Sequence, residues 1–119
     1  MAKSPAAGQV RIQIHTDTIS AKDLAALRTE CERLATRLNG ALGVRFEEGE
    51  DGGSYMNVAF GSHDPQDLWP HINAELYQSP IFGPALRARS MALRTGVDGW
   101  NDYVLLYHFD PLVPVEQQH

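Results

Sequence analysis

Cysteine is all but absent from this sequence. Cys31 is the single one among 119 residues, which excludes an intrachain disulfide framework and a multi-cysteine zinc site. Lysine is nearly as scarce, with two against eight arginines, and the ten basic residues are outnumbered by fifteen acidic ones. A net charge of −5 does not supply the basic surface that phosphate backbones require, so no nucleic-acid partner is expected. Long apolar runs are missing too. The best candidate, around Val104–Leu106, falls far short of the roughly 18–20 residues of a membrane span. The opening MAKSPAAGQ has a lysine but no apolar stretch after it, unlike a secretory signal. A cytoplasmic protein without membrane contact is the expectation. Nucleotide signatures are lacking: GEDGG has no following Lys-Ser/Thr, and neither G-x-G-x-x-G nor G-x-S-x-G occurs. No cofactor and no metal are expected.

What is present suffices for one ordinary domain with its own core, since 43% of the residues are hydrophobic. Residues 1–8 read as a disordered lead-in, 9–111 as a single α+β domain and 112–119 as a tail. Val10, Ile12 and Ile14 alternate with Gln9, Arg11, Gln13 and His15, the pattern of a half-buried strand. Ser20 followed by Asp23 marks a helix start, and Leu24, Leu27, Cys31, Leu34 and Leu38 make one apolar stripe that stops at Asn39-Gly40. Val44–Glu48 and Ser54–Gly61 read as strands joined by the glycine-rich turn GEDGG. Asp64-Pro65 opens a second helix carrying Leu68, Trp69, Ile72 and Leu76, with a loose or bent start at Pro70.

Residues 79–84 read as a loop or a helix end. Residues 85–95 fit either a short helix or a turn leading into a strand near 89–95. Gly96 and Gly99 bracket a turn, and Asn101–Asp110 forms a last strand. It sets Tyr103, Leu105, Tyr107 and Phe109 on one side and Val104, Leu106 and His108 on the other. Two apolar faces suggest a central strand or one packed on both sides. The order β-α-β-β-α-(β)-β predicts a split β-α-β, ferredoxin-like architecture. It has a mainly antiparallel sheet, two helices on one face and an extra C-terminal hairpin strand.

Three constellations could carry function. Residues 44–82 hold one basic and seven acidic groups, and Glu47, Glu48, Glu50 and Asp51 cluster at the hairpin. Such a projection is either a solvated turn or a lure that speeds encounter with a basic protein; the spacing lacks the alternating ligands of an EF-hand. Asp98, Trp100, Asp102 and Tyr103 place aromatics among acids, the composition of a binding hot spot. Two His-x-Asp triplets, His15/Asp17 and His108/Asp110, fall at strand ends and would suit general-base chemistry or metal ligation if they converged. Cys31 lies on an apolar stripe between Glu30 and Glu32, the setting of an inert thiol. His63 and His71 are too far apart for a helical metal pair, and Arg87, Arg89 and Arg94 form the one local basic group, able to hold an anion.

The expectation is a small acidic binding protein of the inhibitor or immunity type, neutralising a basic partner such as a bacterial toxin. The alternatives are a self-associating regulatory module, a homodimer through its sheet, and a small-molecule enzyme using His15, Asp17, His108 and Asp110.

Overall fold

The computed structural model describes residues 8–50, 52–96 and 99–115, with 96 and 99–102 described by their backbone. The chain runs β1 (Gly8–His15), α1 (Ala21–Arg37), β2 (Val44–Glu50), β3 (Ser54–Ser62), α2 (Pro65–Ile72), a π-helical turn (Asn73–Tyr77), α3 (Gly83–Arg89), β4 (Ser90–Gly96) and β5 (Gly99–His108). The strands form one sheet in the order β2-β3-β1-β4-β5, with every neighbouring pair antiparallel.

β1 is the centre of the sheet, paired with β3 on one side and β4 on the other, and it is apolar on every second residue. Ile12 lies between Val58 of β3 and Ala92 of β4, Val10 beside Phe60, and Ile14 beside Met56. All are buried, and they form one core cluster with Leu27, Cys31 and Leu34 of α1 and Leu68, Trp69 and Ile72 of α2. The opposite positions, Arg11, Gln13, Asn57, Met91, Leu93 and Leu105, are half-exposed and stand outside that cluster. Gly8 belongs to β1 and not to a lead-in. It pairs with Ser62, where an added Cβ would lie 3.0 Å from Pro65 and from Thr95.

Local chemistry sets the helix ends. Ser20 Oγ accepts the Asp23 N–H at 3.1 Å. The stop at Leu38 is followed by Gly40 at φ +100°, a conformation that favours glycine. Asp64 Oδ1 accepts from the Asp67 N–H, and Pro65 takes the first helical position. α2 is helical through Pro70, and the expected irregularity comes one turn later. There Gln78 N–H bonds to Asn73 O, five residues back. The wider turn brings Leu76 and Tyr77 into the core together.

Tyr77 then ties the C-terminal half together. Its hydroxyl meets Ser90 Oγ at 2.6 Å, its carbonyl accepts from Arg87, and its ring packs against Trp69 and Tyr107. The ambiguous stretch 85–95 is both things in succession: α3 ends at Arg89 and β4 begins at Ser90, whose hydroxyl donates to Leu86 O at 2.7 Å. The architecture is therefore α+β with three helices rather than two, the third being α3 from Gly83 to Arg89.

The last strand departs most from expectation. β5 lies at the sheet edge, not at its centre. Its partners shift at a bulge: Leu105 faces Leu93, but Tyr107 faces Ala92. The extra residue, Leu106, is buried, and Tyr107 moves onto the core side away from Tyr103 and Leu105. Apolar residues on both faces record this change of phase.

Candidate functional site

The acidic hairpin is built from β2 and β3, and strand geometry divides its carboxylates. Adjacent strand residues point to opposite faces. Glu47 stands opposite Asn57 on the open face, whereas Glu48 stands opposite Met56 on the helix side. Glu48 accepts a hydrogen bond from Arg28 at 2.9 Å, and the Arg28 guanidinium lies 4.9 Å from the centre of the Phe46 ring. Glu50 accepts from the Ser54 hydroxyl at 3.0 Å. Glu47 has neither an ion pair nor a side-chain hydrogen bond among the described residues. Asp51 lies outside the described residues. The cluster is thus one bridged carboxylate, one tied to the turn, and one facing solvent.

Beside Glu47 the open face bears Arg45, Ala59, Arg11 and Asn57, lining a shallow depression of ≈ 380 Å³ that continues around β2 to Arg28 and Phe46. Arg11 Nε and Asn57 Oδ1 are buried there without a hydrogen-bond partner among the described residues. Across the sheet, Tyr103 is 40% exposed. Its hydroxyl lies 3.5 Å from Gln9 Nε2, and the Arg11 guanidinium sits 5.9 Å from its ring centre. Trp100 belongs to β5 and not to the turn before it, Asp102 lies on β5 as read from the sequence, and Asp98 lies outside the described residues. Arg11, Arg28 and Asn57 were not legible as site residues. Their association needs three strands and a helix in register, and no local motif carries it.

The His-x-Asp triplets meet at one end of the sheet, but not as acid–base pairs. Phe109 stacks on His108 at 4.5 Å and meets His15 edge-on at 5.6 Å. β4 separates the two strands, so the histidines approach each other through the phenyl ring. The aspartates turn away to backbone amides. Asp17 Oδ1 accepts from Ser54 N–H at 2.9 Å, and Asp110 Oδ1 accepts from Leu112 N–H at 3.0 Å. His108 Nδ1 accepts from the Asp110 N–H at 3.0 Å. No group of three His, Cys, Asp or Glu side chains able to hold a metal occurs among the described residues. Cys31 is buried on α1, and burial with Glu30 and Glu32 alongside pushes its thiol up to about 12, far from a nucleophile's range.

The role of Asp17 is open to a direct check. Asp17→Ala should lower the melting temperature by about 3–6 °C, the effect of roughly 1 kcal/mol from one lost side-chain-to-amide hydrogen bond. Asp17→Asn, which keeps an acceptor oxygen, should restore most of it. Equal losses in both variants would show that the carboxylate charge, not the turn, is what matters.

No helix among the described residues is long and apolar enough to cross a membrane. Compared with protein-family models, with curated proteins and with solved structures, the chain matches none of them.

Proposed function

We propose that this chain is a small binding protein of the inhibitor or immunity type, acting in the cytoplasm on a basic protein partner. The observation that carries the reading is Glu47. It is exposed on the open sheet face with no cation attached among the described residues, at the edge strand of the most acidic third of the sequence. A carboxylate so placed costs little to desolvate only when a partner's cation replaces water, which favours a basic surface. Tyr103, exposed on the same face, would add an aromatic anchor with its hydroxyl already oriented by Gln9. The reading also takes Trp100, Asp102, Asp51 and Asp98 as partner contacts, on the sequence alone. The position of β1 between β3 and β4 supports the split β-α-β interpretation of the fold, with β5 as the added hairpin strand.

The test is affinity capture from lysate of the source cells with the wild type and with a Glu47→Gln/Glu50→Gln variant. The expected result is a basic protein retained by the wild type, lost with the variant, and released as salt is raised. Equal retention by both, or retention of an acidic protein, would overturn the reading.

A self-associating module is the second reading, favoured by Met91, Leu93 and Leu105 lying half-exposed together outside the core.

A further inference from the structure

A partly enclosed hollow lies away from the hairpin, between the start of α1, the end of β1 and α3. Its floor is apolar and fully formed: Ile14 from β1, Leu27 from α1 and Leu86 from α3, all buried. Ile19 and Phe82 form half-buried walls. At the mouth stands Ile81, 77% exposed. An isoleucine that open is not a frayed end here. Ser79 Oγ accepts both the Ile81 and Phe82 N–H groups at 3.1 Å, and Ser79 O accepts from Gly83 N–H at 2.8 Å.

Two opposite charges complete the lining, Asp23 from α1 and Arg89 from the end of α3. Neither side chain has an ion pair or hydrogen bond within the described residues. The groove therefore offers an apolar floor, one unused carboxylate and one unused guanidinium. Its volume is ≈ 220 Å³. That is below the roughly 300–1,000 Å³ of drug-sized sites and too small for a partner helix about 10–12 Å across.

We propose that this groove binds a free aliphatic α-amino acid. The side chain lies on Ile14, Leu27 and Leu86. The carboxylate takes the two-pronged guanidinium of Arg89, and the ammonium pairs with Asp23. Ile81 folds over the ligand's apolar end. The inference goes beyond the proposed binding of a basic protein and uses none of its residues, so either can fail alone.

The experiment titrates the full chain with L-leucine by calorimetry and amide NMR. The parallel probes are isovalerate, which lacks the ammonium, and isoamylamine, which lacks the carboxylate. Leucine should bind with a Kd below about 1 mM, and each single-charge probe at least about tenfold more weakly. Arg89→Gln and Asp23→Asn should each weaken leucine by about tenfold or more at unchanged melting temperature. Shifts should centre on Leu27 and Ile81. Absence of heat and shifts at about 10 mM leucine, a free energy near −3 kcal/mol or weaker, overturns the proposal. So does binding of isovalerate as tight as leucine, or undiminished binding to Arg89→Gln. Preferential capture of an end-blocked leucine peptide would overturn it in favour of a protein segment.

Discussion

Between about pH 9 and pH 12 the protein should lose a large part of its stability, because two buried groups hold protons that the unfolded chain gives up. Cys31 is the first. Burial on the inner stripe of α1, with Glu30 and Glu32 on either side, raises its thiol from 9.0 to about 12. Tyr77 is the second: burial raises its hydroxyl, only partly opposed by the hydrogen bond with Ser90. Both native values lie above the unfolded ones. The contribution is therefore fully present below about pH 9 for the thiol and about pH 10 for the phenol, and it declines as pH climbs towards the native values. For Cys31 alone the decline is about 4 kcal/mol, set against a typical total stability of about 5–15 kcal/mol. Urea midpoints measured from neutral to strongly alkaline pH should fall steeply. Cys31→Ala should start lower at neutral pH, having lost buried volume, but follow a shallower slope. An identical slope would show that the thiol does not drive the alkaline loss.

Replacing Phe60 by alanine should destabilise the fold by about 3–5 kcal/mol, which removes much of the margin of a domain this size. Phe60 is fully buried on β3. It is flanked by Val10 on β1 and Val44 on β2, facing the helices. Strands on both sides are held by ladders and cannot collapse into the space. A cavity therefore remains, which adds to the lost transfer free energy. The contrast is Arg28→Ala, which breaks the exposed bond to Glu48 and should cost only about 0–1 kcal/mol. Equilibrium urea unfolding of the two variants separates the cases. A cost below about 1.5 kcal/mol for Phe60→Ala would mean that β2 is free to move inward.

Features decided within a few residues were legible in the sequence. Ser20 and Asp64 cap as their own chemistry requires, and the alternation of Val10, Ile12 and Ile14 marks a strand with one buried face. Features decided by a distant partner were not. The phase of β5 is set by pairing with β4: a bulge at Leu106 moves Tyr107 to the core side, and no property of residues 103–109 taken alone announces it. The two-faced apolarity that suggested a central strand has this cause. The acidic hairpin shows a different failure. Glu47 and Glu48 are neighbours within the strand read as Val44–Glu48, so alternation alone sets them on opposite faces; what the local pattern does not carry is Arg28 of α1 beside Glu48. The His-x-Asp triplets are misleading for a local reason, since aspartate just past a strand end finds a turn amide sooner than an imidazole.

The strand order has a consequence in time. β1 is made first, yet one of its two neighbours, β4, is made almost last; Ile14 pairs with Ser90. At about 5–20 residues per second of synthesis, the roughly 75 residues between them take about 4–15 s. Throughout that interval the central strand of the sheet has an open edge, and the nascent chain depends on β3 and α1 to shield its apolar face. The completed sheet closes only when the stretch around Ser90 emerges. Interruption of synthesis before that point releases a fragment whose central strand is an edge.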